Sequence, residues 1–189
     1  MSRAYRISVR ETLNRVIRAE DHVSTQLELL EILPPEVMAK LLRAELQKHG
    51  FEGEGDELVR EKDGVVVTGD AKTGTVTVHA EASHEVELKG ERTGWAGDED
   101  GSNAKRVRET TRKELQKELE GRAGVERDRL QSQVTDRLEK QLGDIRKELH
   151  QAVNRVTAEA LKQKAAQLGQ IKELTEDPQS GSMTIVLEV

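Results

Sequence analysis

The sequence predicts an α+β protein: an antiparallel sheet of about six strands, one packed helix, and a long protruding helical arm of coiled-coil type. Three observations predict it. Apolar residues alternate at period two between residues 4 and 33 and, in shorter runs, between 58 and 89, as half-buried strands require. Between 35 and 49 they recur at three and four, the spacing of one helix face. From Ser102 to Leu174 a proline-free amphipathic pattern takes up well over a third of the chain. Read as one helix, these roughly 73 positions would span ~110 Å at ~1.5 Å per residue.

The elements follow in order. Tyr5, Ile7, Val9, Leu13 and Ile17 all fall on odd positions of a first strand. Ala19 to His22 reads as a turn, and Val23, Thr25, Leu27, Leu29 and Leu33 alternate again, so a long hairpin is expected. Pro34-Pro35 ends it. Pro35 suits the first helical position, where its missing N–H costs nothing. Val37, Met38, Leu41, Leu42 and Leu46 then mark a helix face, with Glu36 at its start and Lys48 and His49 at its end, matching the helix dipole. Gly50 is a natural stop. Short strands come next: Leu58-Val59, then Val65 to Thr68 after Asp63-Gly64, then Thr75 to His79 after a loop ending in Gly74. Glu85 to Lys89 is a further strand. Residues 90–101, with four of the fifteen glycines and a cluster of acids, read as a linker.

Ser102 is a plausible N-cap for the arm. Gly121 and Gly124 lie close together inside the helical pattern and predict a break there, a bend or the tip of a helical hairpin. Glu176 to Ser182 ends the helix, and Met183, Ile185, Leu187 and Val189 alternate as a closing strand. A strand needs a sheet, so the chain is expected to return to its first part. The expected organisation is a head over 1–101, an arm over 102–174 and a returning strand in 175–189.

The arm's stripe is Val134, Leu138, Leu142, Ile145, Leu149, Val153, Val156 and Ala160. Steps of 4, 4, 3 repeat along it, an eleven-residue period that favours a straight or slightly right-handed coil. So narrow a seam suits one neighbouring helix, from the same chain or a second copy. Val134 to Val156 are therefore the expected interaction residues, and a homo-oligomer through the arm is the expected assembly. Trp95, the only tryptophan, sits in a glycine-rich acidic stretch and is the other expected contact residue.

Composition narrows the function. Apolar residues make up 34% and charged residues 35% of 189, against roughly 45–50% and 25% in an average domain. The core must be small and built of Val, Leu and Ile. Cysteine is absent, which removes disulfides, thiolate catalysis and thiolate metal sites. No apolar run approaches ~18–20 residues, and the first residues carry no signal-peptide core, so membrane insertion is not expected and a cytoplasmic protein is. No phosphate loop, dinucleotide fingerprint or H-E-x-x-H motif is present. His79 and His84 have no common ligand spacing, and Asp98-Glu99-Asp100 reads as a solvated acidic loop. No catalytic, cofactor-binding or metal residue is assigned. The span 104–174 carries a net charge of +5 and the remainder −11, an asymmetry that could steer the arm onto an acidic partner. Lys105, Arg106, Arg108, Arg112 and Lys113 are a basic start that nucleic acid could use, but acids interleave and no aromatic is there to stack on bases. A nucleic-acid binder and a helical clamp-type cochaperone are the alternatives.

The stretches Tyr5 to Glu11, Asp21 to Leu30 and Pro34-Pro35-Glu36 resemble accessory domains of bacterial FtsH ternary systems, small proteins associated with an AAA+ ATPase. Leu41 to Phe51 and Gly64 to Val78 are similar in texture to the Ycf35-type domains that accompany such ATPases. The resemblance covers about the first 90 residues and carries no site residue over. It implies a protein-binding adaptor or substrate-handling subunit of an AAA+ system, with no chemistry of its own.

Overall fold

The structure, a computed structural model, describes residues 4–177 and 182–188. Their elements are β1 (Tyr5–Gln26), α1 (Pro35–Lys48), β2 (Glu57–Lys62), β3 (Val65–Asp70), β4 (Thr75–Ala96), α2 (Ser102–Leu168), β5 (Gln170–Asp177) and β6 (Ser182–Glu188). Four strands form one antiparallel sheet in the order β1-β4-β3-β2, and β5 and β6 form a separate two-stranded sheet. The fold is mixed α and β as expected, but its main sheet has four strands, not about six. The chain divides into two compact units, Met1–Glu20 with Glu81–Thr135, and Asp21–Ala80 with Asp136–Val189.

In the first unit, odd positions of β1 and even positions of β4 face α2. Ile7, Ala96 and Ala104 form one small core with Val107. Val9, Leu115 and Leu119 form another with Leu13 and Leu88. Polar side chains tie the same elements: Arg112 pairs with Glu11 at 2.7 Å, and Arg92 with Glu114 and Glu118 at 3.2 and 3.3 Å. The span 90–96 is thus strand, not linker. Its glycines are contact residues: a Cβ at Gly90 would lie 2.7 Å from Leu115 Cδ1, and one at Gly94 would lie 2.6 Å from Val107 Cγ1. They let the helix approach the strand.

In the second unit, β2, β3 and β4 form a meander. Asp63 and Gly64 have φ of 54° and 72° and join Lys62 to Val65 in a two-residue turn, the mirror-image type that matches strand twist. Asp70 Oδ1 accepts the Thr73 N–H and the Lys72 N–H in the next turn, and the Thr73 bond above all holds its carboxyl below the usual carboxylate range. Leu58, Val65, Val67, Val76 and Val78 line one face of this meander, and Leu42 and Leu46 of α1 are buried with them. The α1 helix runs as expected, with Pro35 opening it and Gly50 after it at φ 81°.

Several expected breaks are absent. β1 is one strand of 22 residues with no turn at Ala19 to His22, and β4 is likewise one strand where two were expected. In both, inward residues keep one parity throughout, which a hairpin turn would have reset. α2 is one helix across Gly121 and Gly124. Nothing lies within 4 Å of a Cβ at either glycine, so each costs ~1 kcal/mol of propensity against Ala without losing a packed side chain. α2 also does not stand free of the strands, as the residues above show. Its start is held by Asp98, whose Oδ1 accepts the Gly101 and Ala104 N–H groups at 3.1 and 2.8 Å, and not by Ser102. It ends at Leu168, not Leu174, because Gly169 stops it and Ile171 to Leu174 pair into β5. The closing strand forms, but it pairs with β5 and not with the four-stranded sheet. Val189 lies outside the described residues.

Candidate interaction surface

The stripe of α2 comes first, because its period marked it as a contact seam. Val134, in the first unit, is 1% exposed. In the second unit Leu138, Ile145, Leu149 and Val156 are 2, 6, 4 and 2% exposed, and Leu142 and Val153 are half-buried. One copy of the chain already covers these side chains. Ile145 shares a crevice with Val65 and Val67. Leu149 and Val153 line an open cleft of about 620 Å³ whose other side is Thr25 to Glu28. Most of the stripe is therefore packed within one copy of the chain.

Polar contacts pin the helix in the second unit, and the sequence reading did not find them. Glu45 is buried on α1 and accepts from Lys48 at 2.9 Å and Arg155 at 3.1 Å. Burial pushes its carboxyl up, but the bonds from Lys48 and Arg155 more than offset this and hold it below the usual range. Arg60 donates to Glu148 at 2.7 Å and to the His49 carbonyl at 3.0 Å, and lies 4.8 Å above the Phe51 ring. One signal was available: Glu45 falls between Leu42 and Leu46 on the apolar face of α1, where a carboxylate must find partners.

Trp95 behaves differently from the stripe. It lies near the end of β4 in the first unit, on the face opposite the helix, and is 66% exposed. Beside it on this face, Thr93 accepts from Arg6 at 3.4 Å, and Glu91 accepts from Ser8 at 2.5 Å and Arg10 at 2.9 Å. The Ser8 hydroxyl, and after it Arg10, hold Glu91 below the usual carboxylate range. The result is a strand face of mutually bonded polar side chains with one large aromatic side chain standing clear.

The remaining residues singled out in the sequence stay apart from such a site. Lys105, Arg106, Arg108 and Lys113 are exposed, while Arg112 is tied to Glu11. Among the described residues no group of three His, Cys, Asp or Glu is placed to hold a metal ion, and no helix is long and apolar enough to cross a membrane.

A family model, FtsH ternary system domain X5 (fvmX5), matches residues 1–189. The chain belongs to this family. The X5 match therefore reaches past the first 90 residues, which carried the resemblance, and takes in α2 and the terminal hairpin. It associates this X5 chain with an FtsH-type AAA+ system. No curated protein and no solved structure matches the chain.

Proposed function

We propose that this X5 chain is a non-enzymatic adaptor subunit, working in the cytoplasm, that holds a protein partner for the AAA+ ATPase of its system. The family membership supports the setting. The observation that carries the reading is Trp95, a large aromatic side chain left 66% exposed at one end of an ordered polar strand face. Tryptophan is the side chain most often found as an energetic anchor in protein interfaces, because it buries a large rigid surface and keeps one N–H to donate.

Affinity capture of the tagged full chain from its own cells, read by mass spectrometry, tests this. The expected result is co-recovery of an AAA+ ATPase, with the Trp95→Ala variant losing at least ~30-fold in affinity for it, as removal of a hot spot of ≥2 kcal/mol implies. Circular dichroism should show that variant to be folded. Absence of any ATPase from the wild-type capture would overturn the adaptor reading, and full retention by Trp95→Ala would remove Trp95 from it.

A further inference from the structure

The terminal hairpin carries an inference that the family does not supply. β5 and β6 pair only with each other, and α1, β2 and β3 make no close approach to them among the described residues. An isolated two-stranded hairpin is marginal in water, whereas three or more strands with an apolar face are stable. This hairpin has such a face. The register pairs Ile171 with Leu187 and Leu174 with Ile185, and Met183 falls on the same side. All five are partly open to solvent, and Leu174 is 39% exposed.

Its two outer edges differ. β5 reads Gln-Ile-Lys-Glu-Leu-Thr-Glu-Asp, with half of its residues charged, the kind of edge that resists further pairing. β6 reads Ser-Met-Thr-Ile-Val-Leu-Glu, and its one charged residue, Glu188, is already paired with Lys172 at 2.8 Å. Met183 to Leu187 is thus an uncharged run rich in β-branched residues on an open edge, the composition that invites another strand. The run is also self-complementary. Placed antiparallel to itself about Ile185, it sets Met183 opposite a second copy's Leu187, Thr184 opposite its Val186, and Ile185 opposite its Ile185. Glu188 then stays away from the other Glu188.

We infer that the chain dimerises by antiparallel pairing of β6 with β6 of a second copy, forming a continuous four-stranded sheet β5-β6-β6-β5 about a two-fold axis. The interface is isologous and closes on itself, so it ends at two copies. It uses a strand edge and none of the α2 stripe residues, and it does not depend on the adaptor reading, because purified protein alone is enough to test it.

The measurement is the mass of the purified full chain by light scattering or sedimentation equilibrium over 1–100 μM, a range on the order of transient to stable homodimer affinities. The expected mass is twice the 21.1 kDa of one chain. Ile185→Lys, which sets like charges opposite each other, should return it to a single chain with unchanged helicity. The chain has no cysteine of its own, so Ile185→Cys gives a second readout: cross-strand neighbours lie ~4.5–5.5 Å apart, and mild oxidation should yield a disulfide-linked dimer. Thr175→Cys on β5 should not. A wild-type mass of one chain throughout the range overturns the inference. So does a folded Ile185→Lys variant that stays dimeric, or cross-linking through Thr175→Cys but not through Ile185→Cys.

Discussion

Leu138 on α2 and Ile185 on β6 belong to patterns of the same kind and lie in opposite surroundings. Each sits in a regular apolar series, at the helical period in one case and at period two in the other. Leu138 is 2% exposed, along with its neighbours on the stripe. Ile185 and its neighbours on the hairpin remain half-open. The helix borrows cover from its own chain, where Val65 and Val67 lie beside Ile145, and Arg60 and Glu45 hold Glu148 and Arg155. Among the described residues, the strands of the hairpin pair only with each other. Periodicity therefore tells which side chains are meant to be covered, and only the fold tells what covers them.

The largest effect that bears on this contrast is expected at Leu138. Leu138→Ala should cost ~2–5 kcal/mol, the usual range for emptying a packed site, as read from urea denaturation. If α2 were instead a free seam, the same change would leave the stability of a monomer nearly untouched, and that result would break the comparison. The glycines give a smaller, two-signed effect. Gly94→Ala should cost ~1–3 kcal/mol by overpacking against Val107 and Thr111. Gly121→Ala, with open space around it, should gain ~0.5–1 kcal/mol. Thermal unfolding of the two variants should move in opposite directions, and a shared direction would remove the distinction between packed and solvent-facing glycines.

The smallest effect is the pH dependence of the Glu45 contacts. Because its folded-state pKa is depressed, the stabilisation is present above the unfolded value of about 4.3 and is lost as pH falls through the folded one. The melting temperature should hold steady down to about pH 5 and decline towards about pH 3. Glu45→Gln should make that decline shallower without abolishing it, since Asp70 and Glu91 are also held low. Lys48 and Arg155 are 70 and 61% exposed, so solvent screening keeps the contribution modest. An unchanged slope in Glu45→Gln would mean that the buried carboxylate contributes nothing to holding α1 and α2.

What could be read from residues alone was the chemistry of each short segment. Pro35, the three-and-four spacing up to Leu46, and Gly50 define α1 because all three signals are local. Asp63-Gly64 and Gly74 define their turns for the same reason. The failures share a cause. Polar residues inside a strand, such as Glu20 and His22, look like a turn, although the odd parity of Ile17, Ala19, Asp21 and Val23 runs straight through. Gly90 and Gly94 look like punctuation because nothing in the sequence shows that the helix that follows lies against them. The contact residues divided in the same way. Trp95 stands exposed, whereas the stripe from Val134 to Val156 has a partner inside the chain that periodicity could not name.

The order of the strands has a kinetic consequence. β2, β3 and the start of β4 are joined by short turns and meet within a few residues of each other in sequence. β1 joins β4 through residues far apart in the chain: Ser24 and Thr77 are separated by 53 positions, and Arg6 to Thr93, Ser8 to Glu91 and Arg10 to Glu91 by 87, 83 and 81. The bonds from Arg155 to Glu45 and from Gln131 to the Glu20 carbonyl span 110 and 111. Closing loops of that length costs entropy before any contact rewards it, and topologies rich in such contacts fold slowly. The meander should therefore assemble early, and β1, the first strand made during synthesis, should wait for its full length of partner until Ala96, about half-way along the chain, has been made.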